Sequence, residues 1–246
     1  AQGKAQLHRI RHLRRMSSSA VLPWLVHLYT ASGAVIGFVA LILVEQAKFQ
    51  SALWLMSLAV VIDATDGTLA RMARVKELIP WIDGDRLEDI IDYLNYVLVP
   101  CLFLLRADLL PEKAALGFAS LPLLASAYGF CQRQAKTSDH FFLGFPSYWN
   151  IVAFYLHVLL TPRWLNGLLI FVLSALVFVP IKYLYPSRTP ILRGLTLFLG
   201  ILWGILVLLI IYRLPHPPAS FVLSSLLFPA YYLSLTFWLA ARGQDG

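Results

Sequence analysis

Residues 21–44 run for twenty-four positions without one Lys, Arg, Asp or Glu, and comparable apolar runs recur to residue 240. A segment that crosses the hydrocarbon of a bilayer needs roughly 20 largely apolar residues and must satisfy its own backbone hydrogen bonds, which helices do. By that measure spanning helices are expected at about 21–44, 51–70, 87–106, 114–131, 147–161, 164–185, 191–212 and 218–240. The expected fold is an all-α polytopic membrane protein of about eight transmembrane helices. Composition agrees, since 59% of the 246 residues are hydrophobic and 13% charged, too few charges to cover a soluble protein. The first apolar run is too long for a signal-peptide core, so no cleavage is expected. Two cysteines exclude a disulfide scaffold; Cys101 and Cys131 fall at different depths and are expected as free thiols.

The 20 basic residues orient the chain. With the N-terminus in the cytoplasm and eight alternating helices, fifteen Lys and Arg fall on the cytoplasmic side and five outside. Both termini are therefore expected in the cytoplasm. Residues 1–20 form a basic segment ahead of a single membrane domain, 21–246, and positions 4–16 suit an amphipathic helix at the anionic membrane surface. No basic–aromatic interleaving points to a nucleic acid partner.

Eight of the 13 acids lie between Asp63 and Asp92. Ionisable groups inside a membrane helix cost several kcal/mol unless they are paired or bind metal, so they mark functional sites. Asp63, Asp66, Gly67, Ala70 and Arg74 recur at helical spacing near the end of the second segment, giving a face that is acidic and then small. On the third segment Glu88, Asp92 and Asn95 share a face, and Asp85, Asp89, Asp92 and Tyr96 form another stripe. The two segments run antiparallel, so Asp63, Asp66, Glu88 and Asp92 are expected to converge at one depth. Their mutual repulsion in a low dielectric is relieved by a divalent cation, one ion or two. All-oxygen ligation favours Mg²⁺ or Mn²⁺ over zinc. The competing expectation is that the acids pair with Arg71, Arg74, Lys76 and Arg86.

Asp63-x-x-Asp66-Gly67-x-x-Ala70-Arg71 followed by Gly84-x-x-x-Glu88-x-x-x-Asp92 resembles the signature of the CDP-alcohol phosphatidyltransferase family. There are two departures: a spacer of twelve residues between Arg71 and Gly84, longer than the family's commonest form, and Glu in place of the third Asp. Glu88 is preferred to Asp89 because it keeps the family's spacing to Gly84 and Asp92. The stretches from His27 to Gly33, Phe145 to Asn150 and Tyr185 to Arg188 are similar to the bacterial branch of the family that uses choline.

The resemblance implies a six-helix core plus two helices in the bacterial inner membrane, with the active site on the cytoplasmic side. It implies transfer of phosphatidyl from CDP-diacylglycerol to choline with release of CMP. Asp63, Asp66, Glu88 and Asp92 would hold the metal, and Asp92 would be the general base. Gly67, Ala70, Arg71 and Gly84 would accommodate nucleotide and phosphate. Choline's cationic end has no hydrogen-bond donor, so aromatic faces are its natural binder; Tyr93, Tyr96, Tyr148 and Trp149 are the candidates. Asn150 is expected to cap the fifth segment, and His27 and Thr30 to pack the first. The expected partners are CDP-diacylglycerol, choline and the bilayer, with a homodimer as the candidate assembly. Serine or another small alcohol is the alternative acceptor. A choline or divalent-cation transporter is the alternative class.

Overall fold

A computed structural model describes residues 21–132, 137, 141–186 and 189–242. The basic stretch 1–20, Arg133, Lys136, Ser187 and Arg188 lie outside the described residues. Within them the chain is almost entirely helical. Helices α1 (Val21–Glu45) and α2 (Phe49–Met72) form an antiparallel hairpin, turned at Ala47 in the left-handed region with φ 54°. A short helix, α3 (Val75–Leu78), leads to α4 (Gly84–Asp92), a π-helical turn (Tyr93–Leu98) and α5 (Val99–Arg106). These last three follow one another without a break and make a single rod across 84–106. The Asp83 side chain caps the rod, accepting from the backbone N–H of Arg86 at 3.2 Å. Then come α6 (Ala115–Cys131), β1 (Phe141–Leu143), α7 (Trp149–Leu159), α8 (Arg163–Leu176), β2 (Lys182–Leu184), α9 (Arg193–Tyr212), α10 (Ala219–Ser225) and α11 (Leu227–Arg242). The two strands pair antiparallel, Phe142 opposite Tyr183.

Among the described residues, five helices are long and apolar enough to cross a membrane: Val21–Glu45, Phe49–Met72, Glu112–Cys131, Arg193–Tyr212 and Ala219–Ala240. These answer five of the expected segments. The expected segment at 87–106 is the acid-bearing rod. The other two are shorter than expected. At 1.5 Å per residue the 11 residues of α7 reach only about 17 Å, against about 30 Å of hydrocarbon. Helix α8 stops at Leu176; Pro180 cannot continue the ladder, and the chain turns instead into β2. Large apolar side chains stay on the outside, among them Phe38, Leu124 and Ile201, as lipid-facing positions require. Inside lie Val97, Phe103, Leu104, Trp149 and Ile170, all fully buried. Cys101 is buried and Cys131 exposed, and both are free thiols.

Packing between α1 and the rod rests on two missing side chains. Lipid offers helices no hydrophobic drive to associate, so close backbone approach through small residues supplies the contact. A Cβ on Gly33 would lie 2.6 Å from Ile91 Cγ2, and one on Gly37 would lie 2.8 Å from Asn95 Oδ1 and from Leu94 Cγ. The approach brings Asn95 Nδ2 within 3.0 Å of the Gly33 carbonyl, while the same amide donates to the Ile91 carbonyl at 3.0 Å. Gly37→Val is expected to lower stability by about 1–3 kcal/mol, the usual range for overpacking. Gly117→Val, where a Cβ meets nothing within 4 Å, should leave it unchanged; thermal unfolding in detergent compares the two.

Candidate functional site

Helix α2 descends to Asp63 and Asp66 just as α4 begins with Glu88 and Asp92 on its inner face. One carboxylate oxygen from each of Asp63, Glu88 and Asp92 lies within 4.8 Å of the other two. Opposite ligands on one Mg²⁺ stand about 4.2 Å apart. Small side-chain rotations therefore suit this set to a hard divalent cation, which would relieve the repulsion of three like charges so close. Asp66 is not part of the triad. It is buried, and its Oδ2 accepts from Thr30 Oγ1 at 2.9 Å. A small recess lined by Asp63, Asp66, Glu88, Asp92, Thr30 and Tyr96 connects it to the other three.

Two neutral groups orient the acids. Tyr96, on the π turn, donates its hydroxyl to Asp63 Oδ2 at 2.9 Å, and π turns often serve functional sites. Thr30 does the same for Asp66, so its expected role in packing is corrected to a hydrogen bond. Neither residue type is informative on its own; the T-to-D and Y-to-D partnerships cross between helices. His27 does pack, its ring edge against Trp24 and its Cε1 3.4 Å from where a Gly84 Cβ would stand. Its buried Nε2 finds no hydrogen-bond partner among the described residues.

Three of the four basic residues expected to pair with the acids do so, with members of the 63–92 cluster outside the triad. Lys76 pairs with Asp85 at 2.8 Å, Arg86 with Asp83 at 3.2 Å, and Arg74 with Glu77. Arg71 donates to Thr68 Oγ1 at 2.8 Å, so its expected bracing of the acids is replaced by a contact one turn back on its own helix. Its guanidinium lies 3.5 Å from where a Gly67 Cβ would be. Ala70 packs beside Val26, Ala73 and Val75. Ala70 and Gly84 therefore face α1, and none of Gly67, Ala70, Arg71 and Gly84 lines the large cavity.

That cavity, of about 660 Å³, opens on the other side. Asp63, Asp85, Glu88, Asp89 and Asp92 line one end, with Tyr96, Phe142, Phe145, Tyr148 and Tyr185 facing them. No Lys or Arg lines it among the described residues. The far end is apolar, built from Leu53, Met56 and Val60 of α2 and Val207, Leu208 and Ile211 of α9.

Two expected aromatic residues do not reach the cavity. Trp149 is fully buried in the core, its Nε1 donating to Ser126 Oγ at 2.8 Å. Tyr93 leaves the far side of the π turn, donating to the Leu123 carbonyl at 2.8 Å with its ring edge on Phe130. Sequence reasoning missed Phe142 and Tyr185, which the β1–β2 pairing stacks together at 4.4 Å between ring centroids. It also misassigned Asn150. Helix α7 starts after Tyr148 with no side-chain cap, and Asn150 lines the cavity on the face shared by Ser147, Ile151 and Phe154. Its Oδ1 is buried and has no hydrogen-bond partner among the described residues.

Fold and site together define a multi-pass membrane protein with an acidic centre able to hold a metal, beside a cavity that is polar at one end and apolar at the other. No family model matches the chain. The phosphatidylcholine synthase of Legionella pneumophila is 42% identical to it over 222 residues, covering 87% of each chain. The phosphatidylcholine synthase of Legionella bozemanae is 41% identical over 83% of this chain and 98% of its own. That of Pseudomonas aeruginosa is 37% identical over 91% of this chain and 94% of its own. The chain belongs to the phosphatidylcholine synthase family, consistent with the CDP-alcohol phosphatidyltransferase signature.

The placement of Trp149 has a measurable consequence. Trp149→Phe loses the bond to Ser126 and leaves a cavity where the pyrrole half of the indole sat, and is expected to cost about 2–3 kcal/mol in thermal unfolding.

Proposed function

We propose that the chain is a phosphatidylcholine synthase of the bacterial inner membrane, transferring phosphatidyl from CDP-diacylglycerol to choline. The choline hydroxyl oxygen bonds to the phosphorus that carries diacylglycerol. The bond from that phosphorus to the bridging oxygen of CMP breaks, and CMP leaves with the electron pair. Asp92 takes the hydroxyl proton as general base. Mg²⁺ or Mn²⁺, as one ion or two on Asp63, Asp66, Glu88 and Asp92, would neutralise the pyrophosphate. Tyr96 and Thr30 hold Asp63 and Asp66 in orientation. Gly67, Ala70, Arg71 and Gly84 are assigned to the nucleotide and phosphate.

Membership of the family carries this reading, and the aromatic lining of the cavity beside the acids supports choline as acceptor. Tyr96 and Tyr148, with Phe142, Phe145 and Tyr185, offer faces to the quaternary ammonium. A transporter reading is disfavoured because the acids sit at one end of the helices and no internal repeat is visible. The charge count supports a cytoplasmic position for that end and for both termini. Eight crossings follow if the rod at 84–106 and the short α7 and α8 cross with the five long helices. Residues 21–246 then act as one catalytic unit behind a basic surface segment.

Detergent-purified protein supplied with CDP-diacylglycerol, Mn²⁺ and labelled choline, serine or inositol should release CMP with choline. Absence of CMP release with every one of these acceptors would sink the reading, and release with serine alone would redirect it. Asp63→Asn and Asp92→Asn should each reduce turnover by at least about a hundredfold without loss of folded protein, the lower range for losing a general base. In a separate comparison, Glu88→Gln should abolish turnover while Asp89→Asn retains it; the reverse result would make Asp89 the third ligand.

A further inference from the structure

The apolar end of the cavity has no part in the chemistry at the acids, yet its walls are specific. On α2, Leu53, Met56, Ser57 and Val60 line it at helical spacing; on α9, Trp203, Gly204, Val207, Leu208 and Ile211 do the same. Ser57 turns its hydroxyl back to the Leu53 carbonyl at 2.9 Å, so it offers the space no unsatisfied polar group. The surface here suits hydrocarbon.

Three features make a slot between α2 and α9. First, the two helices are latched at the end distant from the acids, where Gln50 Nε2 donates to the Ile211 carbonyl at 2.7 Å. Second, Trp203 is a fixed wall: its Nε1 donates to Tyr155 Oη at 2.8 Å and its ring stacks on Phe228 at 5.3 Å. Third, the next residue is Gly204, where an added Cβ would meet nothing within 4 Å. Close packing is the rule in helix contacts, and this position leaves room instead. The slot also reaches the lipid-facing surface. Val60 and Val61, which line the cavity, are 37% and 53% exposed, and Ile201 and Ile205 beside Gly204 are 64% and 51% exposed.

We propose that this slot seats an acyl chain of the lipid donor, with the missing side chain at Gly204 providing its passage between cavity and bilayer. The inference rests on the reading that the donor is a diacyl lipid. With the reacting phosphate at the acids, the glycerol esters sit where the polar lining ends, and a chain directed between α2 and α9 stays in apolar surroundings throughout. Bilayer or micelle hydrocarbon solvates a chain about as well as the slot does, so filling the slot acts by blocking the path of the chain and should weaken binding of long-chain donors in particular.

The test is kinetic, in mixed micelles, with CDP-dioleoylglycerol and CDP-dihexanoylglycerol as donors and choline as acceptor. Gly204→Phe should raise KM for the dioleoyl donor about tenfold, roughly 1.4 kcal/mol of lost binding. It should raise KM for the dihexanoyl donor far less and leave KM for choline unchanged. Gly194→Phe, on the same helix and also in open space but away from the cavity, should match wild type with both donors. An unmoved dioleoyl KM in Gly204→Phe, or equal shifts for both donors, overturns the slot while leaving the activity in place. Wild-type protein that releases CMP from neither donor overturns the underlying reading, and the slot with it.

Discussion

Repulsion among carboxylates at the edge of a low-dielectric slab governs the arrangement of this protein. Asp63, Glu88 and Asp92 bring an oxygen each within 4.8 Å of one another, a geometry that is unfavourable without a cation and strongly favourable with one. Its cost explains the supporting parts. Tyr96 and Thr30 each donate a hydroxyl to one acid, which fixes carboxylate orientation without adding positive charge. The neighbouring bases are engaged with Asp83, Asp85, Glu77 and Thr68. Salt bridges there would compete with a metal for the same oxygens.

Holding two acid-bearing helices in register requires a third to grip them. Gly33 and Gly37 let α1 come close enough for Asn95 to bond the Gly33 carbonyl, and α1 also supplies Thr30 to Asp66. The π turn that follows Asp92 carries both Asn95 and Tyr96, so one local widening of the helix serves the packing on one side and the site on the other. The acids therefore stand between two different spaces. Small residues face them from the α1 side, and the large cavity lies opposite, polar near the acids and apolar beyond. A substrate with a charged head and hydrocarbon tails matches that division.

Much of this was legible from residue order. Apolar runs located the long helices because a bilayer imposes length and internal hydrogen bonding on any segment that crosses it. The acids stood out because charge is so rare in such runs, and their three- and four-residue spacing placed Asp63 and Asp92 on inner faces. Expectations failed where side-chain direction depends on neighbours distant in sequence. Trp149 and Tyr148 are adjacent, yet one is sealed in the core and the other lines the cavity. Phe142 and Tyr185 are separated by α7 and α8 and meet only because β1 and β2 pair. Asn150 had the position of a cap, but the first turn of α7 aims that face inward.

Sequence alone therefore determined the membrane-spanning helical class, the direction of the charge asymmetry, the identity of the acids and, through their spacing, the family. These follow from local periodicity and from the energetic penalty of charge in hydrocarbon, neither of which needs a partner helix. Only the tertiary structure decided that three of the four acids form the tight group while Asp66 stands apart on Thr30. It likewise selected which aromatic rings face the cavity, and opened a slot at Gly204. Each of those outcomes depends on crossing angles and close approaches between helices, and no spacing within a single helix encodes them.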